Sequence, residues 1–189
     1  MTRITDNRGF SLVELMVVVA IMATVAATAV LLTPEFRRQA RADSGILQAM
    51  NAIRFAREIA VSQRRNVRLV FVAPNRIQIV REDINALGVV SGTTLMTTVF
   101  LEGAMEFRQY PGQGDTGDAF GMAGPIAFGP SVTRLFTSEG SFVTAAGQPL
   151  NGTVFLGRIN EPKSARAITV FGPTALIKAW RWDGVKWVE

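Results

Sequence analysis

From Phe10 to Thr33 the chain is an unbroken apolar run of about 24 residues whose only charged member is Glu14. At 1.5 Å per residue, a helix of that length reaches about 36 Å, enough to cross the hydrocarbon core of a bilayer. A secretory signal peptide is the alternative reading, since Arg3 and Arg8 form a basic n-region and Ala27-Thr28-Ala29 offers a small-x-small cleavage site. Two features oppose it. The stretch Leu15 to Leu32 exceeds the usual hydrophobic region of roughly 7 to 15 residues, and Glu14 would place an acid within it. A carboxylate deep in a membrane helix costs about 2.5–3.5 kcal/mol unless it finds a partner. Glu14 therefore either sits at headgroup depth or is answered by a cation.

The string Arg8-Gly9-Phe10-Ser11-Leu12-Val13-Glu14-Leu15, followed by Met16-Val17-Val18-Val19-Ala20-Ile21, resembles the class III signal of type IV prepilins and of type II secretion pseudopilins. The resemblance implies cleavage between Gly9 and Phe10 by a prepilin peptidase and N-methylation of Phe10. It further implies that Glu14 contacts the terminal amine of a neighbouring pilin or pseudopilin subunit during assembly. The chemistry agrees: cleavage creates an amine of pKa about 8, hence a cation, where a carboxylate also lies. Gly9 keeps the backbone at the scissile bond unhindered and outside the helix. Topology is contested within the sequence, because Arg37, Arg38 and Arg41 after the helix outweigh the basic residues of the leader. The resemblance implies the other orientation, a single pass in the bacterial inner membrane with the C-terminal domain in the periplasm, and later a place in the pilus or pseudopilus.

A second similarity lies in Phe55-Ala56-Arg57-Glu58-Ile59-Ala60 through Arg65-Asn66-Val67-Arg68-Leu69, which resembles the helix-to-strand junction of H-type minor pseudopilins and of FimT-like or FimU-like minor pilins. Ile126-Ala127-Phe128-Gly129-Pro130 and Ala167-Ile168-Thr169-Val170 are similar to later strands of that family, at lower specificity. Many of its members end in a glycine-arginine tail; here Gly172-Pro173-Thr174-Ala175 stands instead and a tryptophan-rich ending follows. What the resemblance implies is a structural subunit, a minor pilin of a type IV pilus. A minor pseudopilin of a type II secretion system and a DNA-binding pilin for DNA uptake are the alternatives.

Composition narrows the chemistry. Cysteine and histidine are both absent, which removes thiol nucleophiles, disulfides, the usual zinc ligands and the commonest acid/base side chain near neutral pH. No P-loop lysine motif, nucleophile elbow or carboxylate dyad appears, so the expectation is no enzyme and no cofactor. Gly112-Gln113-Gly114-Asp115-Thr116-Gly117 satisfies G-x-G-x-x-G by letters, but the glycine-rich continuation to Gly124-Pro125 reads as a flexible loop, not a helix. Asp115 and Asp118 lack the spacing and terminal glutamate of an EF-hand, so no metal is expected.

The net charge of +5 is unevenly spread, about +5 over Pro34–Arg68, −3 over Leu69–Gly157 and +3 from Arg158 onward. Such basic segments suit anionic lipid, acidic faces of sister subunits or nucleic acid, or a merely solvated surface.

The expected architecture is α+β: a long N-terminal α-helix, membrane-spanning in its first half, packed on a mainly antiparallel β-sheet domain. The divisions are a leader over residues 1–9, a membrane and filament-core helix over 10–33, an amphipathic helix over 34–66 and a β-rich domain over 67–189. Pro34 is expected to end or kink the first helix. Beyond it Phe36, Ala40, Ile46, Leu47, Met50, Ile53, Ala56 and Ala60 recur at helical spacing to about Gln63. Strands are expected over Val67–Val72, Arg76–Arg81, Thr94–Phe107, Leu135–Val143, Thr153–Ile159 and Ala167–Phe171, with a turn at Asn151-Gly152. Asp183-Gly184 predicts a two-residue hairpin turn that pairs Trp182 with Val185, Trp180 with Trp187 and Lys178 with Glu189. Arg181 would then oppose Lys186 on the other face, and these two are the candidate nucleic-acid contacts beside the tryptophans.

Overall fold

The computed structural model describes residues 11–130 and 133–189, the side chains of residues 30–35 excepted. One helix, α1 (Leu12–Gln63), precedes eleven strands: β1 (Val67–Val72), β2 (Arg76–Ile84), β3 (Val90–Phe100), β4 (Glu106–Phe107), β5 (Ile126–Ala127), β6 (Leu135–Phe136), β7 (Phe142–Val143), β8 (Gly152–Arg158), β9 (Glu161–Phe171), β10 (Leu176–Trp182) and β11 (Trp187–Val188). The helical run includes Pro34, so the expected break is not found there. A proline removes one bond from the ladder at a cost of about 3 kcal/mol, and α1 has 52 residues to hold the backbone on either side.

The chain forms two compact units, one ending at Arg38 and one spanning Gln39–Glu189. In the first, every side chain from Ser11 to Ala29 is exposed. In the second, two antiparallel sheets share the core with the rest of α1. The five-stranded sheet runs β3-β2-β1-β6-β7; the other runs β11-β10-β9-β8-β4, with β5 also pairing with β8. Two expected strands are each split. The run read as Thr94–Phe107 is broken by a turn where Gly103 and Ala104 take positive φ, and Leu135–Val143 folds into the β6–β7 hairpin around Gly140. The expected turn at Asn151-Gly152 instead opens β8, with Asn151 Oδ1 accepting a bond from the Gly172 amide at 2.8 Å.

Helix packing follows a stripe of mostly small residues. Ala42, Ile46, Ala49, Ile53, Ala56 and Ala60 are buried against Leu69 and Ile77 of one sheet and Leu156 and Ile168 of the other. Their spacing of three and four keeps them on one face. Phe36, Ala40 and Leu47, expected on that face, are exposed instead. Leu47 is one residue past Ile46 and so about 100° around the helix. Close approach is explicit at Gly45, where a Cβ would meet Met105 Cγ at 2.5 Å. The helix ends when Arg64 turns left-handed (φ 50°) and the Arg65 amide bonds back to Ala60 O at 3.1 Å, which satisfies a terminal carbonyl.

Among the described residues Arg166 is the most deeply buried charge. The Arg166 side chain on β9 is 2% exposed, yet its Nε and Nη2 both lie 2.8 Å from Asp43 Oδ1 on α1, and Nη1 donates to Ala165 O at 3.0 Å. The pair therefore ties the helix to the second sheet.

At the C-terminus the observed register pairs Trp182 with Trp187 and Arg181 with Val188, two residues away from the expected one. Asp183 causes the difference. Its Oδ1 accepts the amides of Val185 at 2.7 Å and Lys186 at 2.8 Å, while its own amide donates to Lys186 O, so the turn takes four residues instead of two.

Replacing Asp43 with Ala is expected to destabilise the protein by about 1–3 kcal/mol, because the buried guanidinium loses its counter-charge while the Asp43 carboxylate, 52% exposed, is already screened by water. Arg166→Met, which removes the charge and keeps much of the volume, is expected to cost clearly less; denaturant unfolding of the two variants checks the order. Asp183 yields a pH effect of defined sign. The Lys186 amide, then that of Val185, holds its carboxyl below the ordinary value. Its contribution to the hairpin is therefore present above about pH 4, where an unfolded Asp is already ionised, and disappears as pH falls through the lowered folded value. Amide exchange at Val185 and Lys186 is expected to accelerate over that acid range in the native chain, whereas in Asp183→Ala it is already fast at neutral pH.

Candidate functional site

Glu14 lies in the first turn of α1, where the Leu15 amide bonds to Ser11 O at 3.1 Å. An acid there faces the positive end of the helix dipole, worth about 0.3–1 kcal/mol. Its carboxylate is exposed and has no partner among the described residues. Around it Leu12, Leu15, Met16, Val17, Val18 and Ile21 also lie open. The two polar side chains in the middle of the run are self-satisfied: Thr24 and Thr28 donate to Ile21 O and Val25 O, each at 2.8 Å. A helix of this kind shows lipid or a protein partner only apolar surface and one carboxylate. By length and composition Leu12–Ala29 can cross a membrane. Gly9 and Phe10, the expected cleavage and methylation positions, lie outside the described residues.

The C-terminal cluster is assembled differently from the expectation. Trp180 is buried, and its indole N–H donates to Thr169 Oγ1 at 3.0 Å; that hydroxyl donates in turn to Asp118 Oδ2 at 2.6 Å. Lys178 reaches Asp118 Oδ1 at 3.2 Å and Glu189 at 3.6 Å, so the two charges meet although the shifted register does not set Lys178 opposite Glu189. Hydrogen bonding to Asp118 is the main reason the Lys178 amine titrates above its ordinary value. The aromatic cross-strand pair is Trp182–Trp187, with centroids 5.3 Å apart, and not Trp180–Trp187. Trp187 is also buried, packs on Phe155 at 5.7 Å and donates to Gly114 O at 2.8 Å.

These contacts account for the glycine-rich segment as well. Gly117 lies against the Trp180 ring, where a Cβ would meet Cη2 at 2.7 Å. Asp115 accepts the amides of Thr116 at 2.7 Å and Gly121 at 2.8 Å. The loop expected to be flexible is thus pinned onto the sheet, and no helix follows its glycines. The oxygens of Asp115 and Asp118 are taken by protein donors. Among the described residues no group of three or more Asp, Glu, His or Cys could hold a metal ion.

Arg181 and Lys186 are both exposed, but they do not oppose each other: Arg181 sits across from Val188 and Arg166, and Lys186 lies in the turn. The Asp183 carboxylate feels both cations, which reduces the positive field there. Two of the three indole rings needed for base stacking are buried and bonded internally. Sequence reasoning missed the Asp118–Thr169–Trp180 chain; the available signal was that a buried indole N–H requires an acceptor.

An open groove of about 790 Å³ runs along the C-terminal part of α1, lined by Arg54, Arg57, Glu58, Val61, Glu139 and Leu176. Its two arginines and two glutamates balance in charge, and Arg57 Nε is already used on Gly140 O at 3.0 Å.

No curated protein and no solved structure matches the chain. Residues 4–30 match the prokaryotic N-terminal methylation motif, which covers Gly9, Phe10 and Glu14 together with the exposed apolar helix. With an N-terminal apolar helix, a helical face packed on antiparallel sheets, and that motif in place, the chain has a pilin-like α+β fold and the signal of a type IV pilin or pseudopilin precursor.

Proposed function

We propose that the chain is a minor pilin, a structural and non-catalytic subunit of a type IV pilus of the FimT-like and H-type kind. The observation that carries this reading is Glu14, exposed, without a partner among the described residues and the only charge in the Leu12–Ala29 segment, inside the methylation motif. Prepilin peptidase cuts between Gly9 and Phe10, and the new amine is a cation at neutral pH. Methylation of that amine preserves its charge. The amine of one subunit meets Glu14 of the next, which removes the cost of carrying a lone carboxylate into an apolar filament core. Exposed faces of the Leu12–Ala29 segment then pack against those of sister helices. The Leu12–Ala29 segment holds the precursor in the inner membrane until assembly, with the Gln39–Glu189 unit in the periplasm. The helix end at Gln63 and the start of β1 at Val67 support the FimT-like and H-type assignment, since they fall within the junction segment that resembles that family.

Coexpression with a prepilin peptidase is expected to give a mature chain starting at Phe10, seen by intact mass. A product cut after Ala29 would mark an ordinary secreted protein and end the filament reading. Glu14→Leu is expected to leave membrane insertion and cleavage unchanged while lowering incorporation into sheared pili by about tenfold or more, consistent with a cost of at least 1.4 kcal/mol for the lost pair. Wild-type incorporation of that variant would refute the pairing with the Phe10 amine. Loss of pili in a strain lacking the protein, with type II secretion intact, separates the pilus from the secretion-system alternative.

A further inference from the structure

Sheet edges are usually blunted by charge, proline or short length, because a free row of backbone N–H and C=O groups recruits another strand. Among the described strands, those at the ends of the sheets other than β3 obey this rule by being short: β7, β11 and β4 have two residues each. β3 does not. It runs for 11 residues at the end of its sheet and pairs only with β2. From Ile84 to Phe100 the sequence has neither a charged residue nor a proline. Its apolar side chains are also uncovered, with Leu87 86%, Leu95 55% and Phe100 57% exposed.

The hydrogen-bond pattern shows which backbone groups are free. The Leu101 amide bonds to Asn75 O at 2.9 Å, so Leu101, Val99 and Thr97 point toward β2, while Phe100 and Thr98 point outward. The Glu82 amide bonds to Asn66 O on the β1 side at 2.9 Å, so Glu82 turns away from β3 and its partner Thr93 points outward, as does Leu95. The bulge between these stretches, at Met96, divides the edge into two halves but closes neither.

We infer that β3 is a docking edge for a second copy of this chain, the two β3 strands pairing antiparallel about a twofold axis to join two sheets into one. The occupant follows from charge. In an antiparallel pair about a twofold axis a residue at the axis faces its own equivalent, so a lysine or glutamate there would meet like charge at a cost. β3 carries only threonine, serine, glycine and apolar residues, so self-pairing meets no such repulsion. A foreign partner would place no comparable demand on the whole strand to be neutral.

The test uses the full chain in detergent micelles. Sedimentation is expected to show a dimer at high protein concentration. Amide exchange at the outward positions Thr93, Leu95, Thr98 and Phe100 is expected to slow by about tenfold or more as the dimer forms, while Thr94, Thr97 and Val99 are protected throughout. Thr98→Pro removes an outward N–H that the β2–β3 ladder does not use, so the fold is retained, and the dimer dissociation constant is expected to rise by about tenfold or more because the loss occurs twice. Thr98→Ala is expected to dimerise as the native chain does. Leu95→Lys supplies a second variant, since it puts a cation on the neutral edge of both copies without touching the backbone. A native chain that stays monomeric, or a dimer that survives both Thr98→Pro and Leu95→Lys and is thus held by the Leu12–Ala29 helix, would overturn the proposal.

Discussion

The Asp43–Arg166 pair explains why the second sheet must lie where it does. A guanidinium that is 2% exposed needs a counter-charge, and among the described residues the carboxylate that meets it is Asp43 on α1. The alanine stripe Ala42, Ala49, Ala56 and Ala60 brings the helix backbone near enough for that short carboxylate to reach. Apolar packing would tolerate the helix at several rotations, since Ile46 and Leu47 are equally greasy. The ion pair and the Gly45–Met105 approach accept one rotation, which buries Ile46 and leaves Leu47 in water. Hydrophobic burial thus supplies most of the stabilisation, and the polar pair selects the register.

The two units of the chain solve opposite solvation problems. Residues 39–63 of α1 bury one stripe and present arginines elsewhere, as a surface helix does in water. Residues 12–29 have nothing to bury against and satisfy their few polar groups internally, as a helix does in lipid. Glu14 is the exception in that second set, and an exception of this cost is retained where it has a use. It has no partner among the described residues, which fits the proposed pairing with a cation carried by another molecule.

How far the sequence disclosed this structure varied with the range of the interactions involved. The apolar run, the Ile46–Ala60 stripe, β1, and the strand preceding Asp183 were legible because each depends on the local period of the chain. The hairpin register was not, because Asp183-Gly184 matches the two-residue turn in sequence while the Asp183 carboxylate captures two amides and enforces four residues. Pinning of the Gly112–Gly124 loop was likewise hidden: it depends on Trp180 and Thr169, more than fifty residues away, which take up Asp118 and leave room only for glycine at position 117. At the N-terminus the legible part was the pattern from Gly9 to Glu14, which is chemistry addressed to a peptidase and a neighbouring subunit and needs no fold of its own.

The same distinction bears on the basic composition, which by itself suggested nucleic acid as a partner. Many of the cations are spent within the fold: Arg68 on Glu82, Arg81 on Asp83, Arg108 on Glu106, Arg158 on Glu161, Arg166 on Asp43 and Lys178 on Asp118. A phosphate-binding surface needs the reverse, several unengaged cations aligned on one face with their charge unopposed. Arg181 and Lys186 both act on the Asp183 carboxylate at the hairpin, which offsets their charge, and the Trp180 and Trp187 indoles are bonded inward. Five arginines of this chain thus pair with carboxylates inside the fold, among them Arg68 with Glu82 across β1 and β2 and Arg166 with Asp43 between sheet and helix. The surfaces left for the proposed recognition of other subunits are the uncharged ones, the apolar Leu12–Ala29 segment with its single carboxylate Glu14 and the neutral β3 edge.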